Sequence, residues 1–445
     1  MCLRLVKGMT NSIQKPEVPQ PKKFLFVSDE ALIGDLALQV KKEGHEVKYY
    51  IHQKSEKDCC DGFLEKVDDW RSLIEWADVI VFDDVGFGEV ADRLRAKGKG
   101  IVGGSVYTDK IEDDREFGQA EMKEVGINIL PHWDFTDFDS GIKFIKENPD
   151  RYVVKPSGKA QNEKELCYVG QDENGTDMVE VMELYKTSWG TKIKSYQFQK
   201  YASGVEIAVG AFFDGKDFVY PININFEHKR MFPGNIGPNT GEMGTSMFWI
   251  ERNKIFEETL LKMKDKLAAS KYVGYMDINC IVNNRGIYPL EFTSRFGYPT
   301  ISIQMEGVSC EWGQFLYDIA YGRKSDFKVK KGFQVGVVIA VPPFPFTDPS
   351  AFKKYSEDAV VIFKKPNTEG VHIADIKLVD GKWRLAGRSG YALIVTGSGS
   401  TMADAKKQAY NRVYNIMIPN MFYRDDIGDK WTEDGDRLQT WGYLS

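Results

Sequence analysis

Short apolar runs alternate with amphipathic stretches over the first hundred residues of this chain. The apolar runs have the length and the β-branched and aromatic content of strands. The stretches between them have helical spacing, and some end at a glycine. The predicted strands cover 23–27, 46–51, 77–82 and 100–103, and the predicted helices cover 36–44, 70–76 and 89–98. Strands that alternate with helices indicate a doubly wound parallel sheet, whose ligand edge lies at the carboxyl ends of its strands.

Beyond residue 111 the pattern changes to longer strands and separate helices. The predicted strands cover 151–156, 166–170, 195–210, 211–220, 334–341, 359–363, 374–379 and 391–396, and the predicted helices cover 115–126, 255–270 and 402–417. The strands before residue 220 break at Asp214-Gly215, and the chain is β-rich again past Phe333. These shifts place domain boundaries near residues 108 and 330, so the fold class is α/β followed by α+β.

Composition narrows the class of protein without naming a function. Hydrophobic residues make up 42% of the 445 residues and aromatic residues 13%, which is typical of a globular chain of two to four domains. The formal net charge of −6 argues against nucleic acid as a partner.

No apolar run approaches the ~18 residues of a membrane span. Residues 1–22 lack a signal-peptide core and are predicted to be a mobile extension. Six cysteines without zinc spacing indicate free thiols in the cytoplasm.

Two acidic residues face one another in a predicted hairpin near the middle of the chain. The turn Asn283-Asn284-Arg285-Gly286 separates two arms whose side chains alternate between faces. One face carries Asp277 and Asn279 from the first arm, and Glu291 and Thr293 from the second. A loop centred near Asn284 places Asp277 opposite Glu291, about 5 Å away. Oxygen ligands at that distance predict Mg²⁺ or Mn²⁺, and the alternative is a solvated acidic face.

A second polar segment supports the metal interpretation. The cationic cluster Glu227-His228-Lys229-Arg230 precedes Gly237-Pro238-Asn239-Thr240-Gly241-Glu242-Met243-Gly244. Such a glycine-rich loop is too polar for a core and presents backbone N–H groups to anions.

Here the chain resembles the glycinamide ribonucleotide synthetase (phosphoribosylamine–glycine ligase) family of ATP-grasp enzymes. The matching segments are 227–230, 237–244, 290–299 and the ending Ile418-Pro419-Asn420-Met421-Phe422-Tyr423-Arg424-Asp425-Asp426-Ile427-Gly428. They occur in the family's order between about residues 23 and 430. The resemblance implies an extension (1–22), an N-terminal α/β domain (23–108), a two-lobed ATP-grasp domain (109–330, lid lobe about 151–198) and a small β-rich C-terminal domain (331–445).

The resemblance also implies the ATP and metal sites. Lys155 matches the family's phosphate-binding lysine and Arg115 replaces an earlier lysine, while Gly158 lies in a phosphate loop that is poorer in glycine here. The hinge that meets adenine is implied at Gln199, Lys200 and Tyr201, and the ribose contact at Glu206. Asp277 and Glu291, with Asn279 in support because Thr293 replaces the family's asparagine, are the implied metal ligands.

Catalysis is implied to proceed through an acyl phosphate that an amine then converts to an amide. The residues implied around the carboxylate and the transferred phosphoryl group are the cations His228, Lys229, Arg230 and Arg295, together with Asn239. The residues implied to bind substrate are Asn239, Thr240, Gly241, Arg295, Ser28 and Asp29. The expected partners are therefore ATP, an amino acid and an amine, in a monomer or homodimer.

The acceptor is where the chain departs from the family. The family's glycine-rich turn after the first strand is replaced by residues 28–35, which carry Asp29, Glu30 and Asp35, and these carboxylates repel phosphate. Glu242 also replaces a glycine. Three functions stay open: ligation of glycine to phosphoribosylamine, ligation of glycine or another amino acid to a different amine that Asp29, Glu30 or Glu242 recognises, and a nucleotide-binding protein without catalysis.

Overall fold

The first part of the chain forms a parallel sheet with helices beside it. The computed structural model describes residues 20–158, 160 and 166–444. The elements are β1 (Lys23–Ser28), α1 (Gly34–Lys42), β2 (Glu46–Ile51), β3 (Glu65–Lys66), β4 (Val79–Phe82), α2 (Gly88–Ala96) and β5 (Gly100–Val102). The strand order β3-β2-β1-β4-β5 confirms the doubly wound prediction. The order reverses between β1 and β4, so the crevice at their carboxyl ends is the expected ligand site.

A four-stranded antiparallel sheet forms the second part. The elements from here to its end are α3 (Val106–Asp113), α4 (Arg115–Glu124), β6 (His132–Phe135), α5 (Phe138–Glu147), β7 (Tyr152–Pro156), β8 (Tyr168–Val169), α6 (Thr176–Ser188) and β9 (Tyr196–Lys200). The strand order is β6-β9-β7-β8. Aromatic rings of Phe135, Phe144, Tyr196 and Phe198 pack together on it. The sheet begins at His132, so it includes residues that precede the lid bounds of about 151–198.

A long antiparallel sheet runs through the rest of the molecule. Its elements are β10 (Val205–Asp214), β11 (Phe218–Glu227), β12 (Arg230–Phe232), β13 (Ile236–Asn239), β14 (Gly244–Ile250), α7 (Lys254–Glu258), α8 (Lys264–Ala269), β15 (Val273–Asn283), β16 (Gly286–Thr293), α9 (Thr300–Gly307), α10 (Trp312–Ala320) and β17 (Phe333–Ala340), then α11 (Pro349–Tyr355), β18 (Ile362–Phe363), β19 (Val371–Ile373), β20 (Ile376–Val379), β21 (Lys382–Leu385), β22 (Tyr391–Gly399), α12 (Met402–Val413), β23 (Ile416–Met417) and α13 (Lys430–Thr440). The order β16-β15-β10-β11-β14-β17-β22-β19 makes one eight-stranded sheet.

The central sheet joins the middle and C-terminal parts of the chain directly. β14 pairs with β17, from Gly244 opposite Val337 to Phe248 opposite Phe333. Gly244 has φ +147°, and a Cβ built there would lie 2.6 Å from the carbonyl oxygen of Gly336. Only glycine fits this close approach without a shift of the backbone.

Three predicted helices differ from the structure. Residues 70–76 contain only a 3₁₀ turn, Arg71–Leu73. The helix predicted over 255–270 is interrupted at Thr259, whose hydroxyl donates to the carbonyl of Ile255 at 2.5 Å and whose backbone leaves the helical region. Such side-chain bonds compete with the helix. The helix predicted over 402–417 ends at Val413 and is followed by β23. Within the described ranges, no helix combines the length and apolarity that a bilayer span requires.

Candidate active site

The hairpin of β15 and β16 is present, with a register different from the prediction. Asp277 lies opposite Thr293, and Asn279 lies opposite Glu291. The turn between the paired residues Asn283 and Gly286 holds two residues. Leu290 is an extra residue in the second arm, and this bulge shifts the pairing of the residues beyond it by one further position. The predicted pairing of Asp277 with Glu291 is therefore wrong, although Asp277, Asn279 and Glu291 remain close along the hairpin.

The face of this hairpin presents oxygen atoms that find no partner in the described part of the chain. Asp277 and Asn279 are buried, and the Oδ1 atom of each accepts no hydrogen bond from any described residue. Burial, followed by the nearby charge of Glu227, raises the pKa of the Asp277 carboxyl well above its ordinary value. A divalent cation would satisfy both oxygens and relieve the repulsion. The donors Asp277, Asn279 and Glu291 thus fit a hard, oxygen-bound metal ion.

Glu227 belongs to the same site and was not among the predicted ligands. It ends β11, and its Oε2 accepts from Asn279 Nδ2 at 3.4 Å. The same Oε2 lies 3.3 Å from Lys229 Nζ. The signal was available in the sequence, because Asn223, Asn225 and Glu227 alternate with apolar residues along one strand.

Three cations face these carboxylates from different elements. Lys155 lies on β7, and burial, aided by Arg115, lowers its pKa. Arg115 begins α4 after the N-cap Asp114, and its Nη1 donates to the Pro156 carbonyl at 2.7 Å. Burial would lower the pKa of Lys229, but the carboxylates of Glu206, Glu227 and Glu291 raise it well above its ordinary value. The fold thus brings together cations suited to phosphate beside oxygen donors suited to metal.

The predicted nucleotide contacts lie where the four-stranded sheet joins the central sheet. Gln199 and Lys200 end β9, and Tyr201 follows before β10 begins. The backbone N–H groups of Lys200 and Tyr201 already donate, to Pro131 and Arg151 carbonyls, both at 2.9 Å. Their contact with adenine stays a prediction.

Glu206 and Gly158 complete the predicted nucleotide set. Glu206 Oε1 lies 3.0 Å from Lys229 Nζ, and its role with the ribose also stays a prediction. Gly158 is exposed with φ +62° at the start of a segment of which Lys159 and residues 161–165 lie outside the described residues. The phosphate loop itself therefore stays a prediction.

The glycine-rich segment is partly used for internal bonding. The N–H of Thr240 donates to the Lys229 carbonyl and that of Met243 to the His228 carbonyl, each at 2.8 Å. These two groups are thus not available to an anion, contrary to expectation. Asn239 and Gly241 are exposed, whereas Thr240 is buried. Arg230 is exposed and its Nη1 donates to the Gly237 carbonyl at 2.8 Å.

His228 is not one of the cations of the site. Only 1% of its surface is exposed, and neither ring nitrogen has a hydrogen-bond partner among the described residues. Burial, together with the positive charges of Lys430 and Arg424, lowers its pKa to about 3. The imidazole is therefore neutral at physiological pH, and the predicted cationic role for His228 is wrong.

Arg295 lies between the central sheet and the crevice of the N-terminal domain. Its Nε is 3.3 Å from Glu112 Oε1 and 3.5 Å from Asp84 Oδ1. Residues that follow β4 and that end α3 thus meet at one guanidinium. Asp84 was not predicted to belong to the site, although two carboxylates directly after a buried parallel strand were a usable signal.

The crevice is rich in carboxyl groups. The Ser28 hydroxyl donates to Asp83, and the Asp29 N–H donates to Asp83 Oδ1 at 3.2 Å. Ser28 is fully buried and its hydroxyl is bonded to Asp83, so its contact with substrate stays a prediction. Burial raises the pKa of Glu30, and the charges of Asp84 and Asp29 raise it further.

The buried carboxyl of Asp83 should make stability fall with rising pH. Burial raises its pKa from 3.8 to about 8, so the folded state holds a proton that the unfolded state releases. Its contribution to stability is complete below about pH 4 and is lost as the pH rises to about 8. In urea titrations, Asp83→Asn should flatten the decline by up to about 1.4 kcal/mol per pH unit. The exposed Asp436→Asn should leave the slope unchanged, and an equal slope in both variants would contradict the assignment.

The three sheets, the oxygen-donor hairpin and the converging cations define an ATP-grasp ligase. Residues 113–301 match the phosphoribosylglycinamide synthetase ATP-grasp (A) domain, and residues 334–430 match the C domain of the same synthetase. The chain belongs to the phosphoribosylglycinamide synthetase family.

Individual relatives agree with that family. The chain is 25% identical over 378 residues to phosphoribosylamine–glycine ligase of Listeria monocytogenes, covering 81% of this chain and 86% of that one. The ligase of the same name from Streptococcus suis is 23% identical over 356 residues, covering 78% and 82% of the two chains.

Solved structures share the fold. The crystal structure of phosphoribosylamine–glycine ligase from Thermotoga maritima superimposes with a TM-score of 0.67 at 20% identity, over 91% of this chain and 100% of that chain. The biotin carboxylase domain of Hydrogenobacter thermophilus 2-oxoglutarate carboxylase, solved with MgADP, gives a TM-score of 0.62 at 11% identity, over 96% and 97%.

Proposed function

We propose that this protein joins glycine to 5-phosphoribosylamine in purine biosynthesis, with conversion of ATP to ADP and phosphate. One observation carries the proposal: Glu291, on the hairpin that also carries Asp277 and Asn279, interacts with Lys155 of the four-stranded sheet and with Lys229 beside the central sheet, so oxygen donors and cations meet where the two ATP-grasp lobes join. The relatives named above supply the pair of substrates. A cytoplasmic location is part of the proposal, because the five described cysteines are free thiols.

The chain's own residues would bind and orient the phosphates. We assign Mg²⁺ to Asp277, Asn279 and Glu291, and when bound it would neutralise charge on the β- and γ-phosphates. We assign the phosphate oxygens to Lys155, Arg115 and Lys229, which would hold them by charge and hydrogen bonds. Because these groups are partly withdrawn from water, their attraction to a developing phosphoryl charge is stronger than in solution.

The proposed reaction has two steps. A glycine carboxylate oxygen attacks the γ-phosphorus and the bond to the β-phosphate oxygen breaks, releasing ADP and leaving glycyl phosphate. The phosphoribosylamine nitrogen then attacks the acyl carbon, phosphate leaves with the electron pair of the broken C–O bond, and the amine loses a proton. Closure of the lobes would protect the acyl phosphate from water.

The test is ADP release by the purified protein with Mg-ATP and glycine, with and without freshly prepared phosphoribosylamine. Turnover that requires both substrates, together with the expected amide in the product mixture, would support the proposal. Binding of Mg-ATP without turnover on this pair would contradict it. Arg285→Met serves as a control, because Arg285 lies on the exposed turn of the hairpin.

A second candidate function keeps the ligase chemistry and changes the amine. The favouring observation is the crevice at β1 and β4, where Glu30 and Asp84 lie near Arg295 and the charge of Asp29 acts on both carboxyl groups. This charge distribution repels a phosphate and attracts an ammonium group. A panel of amines with and without phosphate, assayed for glycine-dependent ADP release, separates the two functions. Faster turnover with an unphosphorylated, cationic amine would favour the second candidate over phosphoribosylamine.

A further inference from the structure

We propose that Arg424 is a positioning residue that holds the predicted substrate loop from the C-terminal segment. The loop consists of β12, β13 and the turn between them, and it carries Arg230 and Asn239. The inference rests on the proposed function for the substrate that the loop would contact, whereas the contact between Arg424 and the loop stands on geometry alone.

Arg424 is fully buried and contacts the loop at two points. Its Nη1 donates to the Arg230 carbonyl at 2.8 Å, and its Nη2 donates to Asn235 Oδ1 at 3.1 Å. The first point lies at the start of β12 and the second lies in the turn. One guanidinium therefore spans the loop from one end to its tip.

Asp426 bonds both to Arg424 and to the loop, and we call these contacts of Arg424 and Asp426 with the loop the clamp. Asp426 accepts from Arg424 Nε at 2.7 Å and from Nη2 at 2.6 Å, and its Oδ2 also accepts from the Gly234 N–H at 3.0 Å. A planar guanidinium can make these bonds simultaneously, whereas a lysine ammonium cannot reproduce the fork. The ion pair also compensates the cost of burying the arginine.

Among the described residues, few other contacts hold the loop. Every residue from Arg230 to Asn239 is exposed or half-buried, and the apolar side chains of Phe232 and Ile236 are 44% and 64% exposed. A segment without apolar anchoring opens at low free-energy cost unless polar contacts fix it. The contacts from Arg424 and Asp426 join residues 189 or more positions apart in the chain, which identifies them as tertiary contacts that anchor the loop.

The same C-terminal segment reaches the edge of the phosphate site. Lys430 Nζ donates to the Glu227 carbonyl at 2.7 Å, directly before the cationic cluster. The segment from Arg424 to Lys430 therefore contacts both the loop and the strand that supplies Glu227. Displacing the loop by about 1 Å should cost up to about 10²-fold in rate, since catalysis depends on near-attack geometry.

The test compares Arg424→Lys with Arg412→Lys. Arg412 is a matched control in the same part of the chain: it pairs with Glu306 at 3.1 Å and donates to the Thr396 carbonyl at 2.8 Å, without contacting the loop. Arg424→Lys should lower kcat/KM for the amine by about 10-fold or more and leave the Kd for Mg-ATP within about twofold. Hydrogen–deuterium exchange over residues 230–239 should rise at least several-fold in this variant and stay unchanged in Arg412→Lys.

Each outcome decides the proposal. Unchanged exchange over 230–239 in Arg424→Lys, or an equal rise in Arg412→Lys, would overturn the clamp. If Arg424→Lys does not fold, Asp426→Asn provides the measurement, because its Nδ2 cannot accept from the Gly234 N–H. Should the wild type fail to use phosphoribosylamine, the proposed function fails by itself, and exchange still decides whether Arg424 positions the loop.

Discussion

Glu291→Gln should lower kcat by about 10²-fold or more. The amide preserves the shape of the side chain and removes the charge that would hold a divalent cation opposite Asn279. The same charge raises the pKa of Lys155 against the lowering effect of its burial, so its loss also disfavours the protonated state of this phosphate-binding lysine. The measurement is ADP release at saturating Mg-ATP, glycine and amine.

Glu257→Gln is the matched control for this prediction. Glu257 is exposed on α7, and its conversion to glutamine should leave kcat unchanged. A Mg²⁺ titration of both variants adds a second readout, because loss of a ligand should shift the metal requirement upward. Near-wild-type turnover and metal dependence in Glu291→Gln would show that the hairpin does not bind the metal.

Removal of Arg295 should lower the free energy of unfolding by about 3 kcal/mol. Loss of one partner from a buried ion pair typically costs about 3–5 kcal/mol, and the lower figure applies because the side chains of Arg295 and Asp84 retain 30% and 31% exposure. Arg295→Met leaves the carboxylates of Asp84 and Glu112 without their shared cation. Activity should fall with stability, since the guanidinium lies between the crevice and the metal hairpin.

The pH dependence distinguishes this loss from a packing defect. Burial raises the pKa of Glu112, and Arg295 opposes that effect, so without the arginine the pKa rises further. A carboxyl with a raised folded-state pKa stabilises at low pH, and that stability is lost as the pH rises. The deficit of Arg295→Met should therefore be larger at pH 8 than at pH 5. A second change, Glu112→Gln, should restore part of the stability, whereas a deficit independent of pH would contradict the electrostatic account.

Local patterns predicted most of the elements that carry the site. The alternation of buried strands and helices correctly predicted the N-terminal sheet, because strand and helix periods are local properties. The side-chain alternation around Asn283 to Gly286 likewise predicted which residues share a face of the hairpin. The register was wrong by two positions: the turn is centred between Asn284 and Arg285, and Leu290 is an extra residue in the second arm. A bulge of this kind leaves no mark in the apolar and polar pattern.

The remaining parts of the site depend on contacts between distant residues. Glu112 and Asp84 meet Arg295 only after the N-terminal domain packs against the central sheet. Burial keeps His228 neutral, and this burial cannot be predicted from a sequence in which the histidine stands between an acidic and a basic residue. The ending that carries Arg424 was recognised by resemblance, but its contact with Asn235 could be learned only from the folded chain. Domain boundaries and the oligomeric state stay predictions.

The unbroken central sheet has a consequence for dissecting this protein. The first family match ends at residue 301 and the second begins at residue 334, so the segment between them is an obvious place to truncate the chain. Such a cut would remove β17 and leave the backbone groups of β14 unpaired along an edge that five register positions now cover. Exposed edges of this kind recruit other strands. An isolated ATP-grasp fragment should therefore self-associate, whereas the two halves supplied as separate chains should reassemble through the β14–β17 seam.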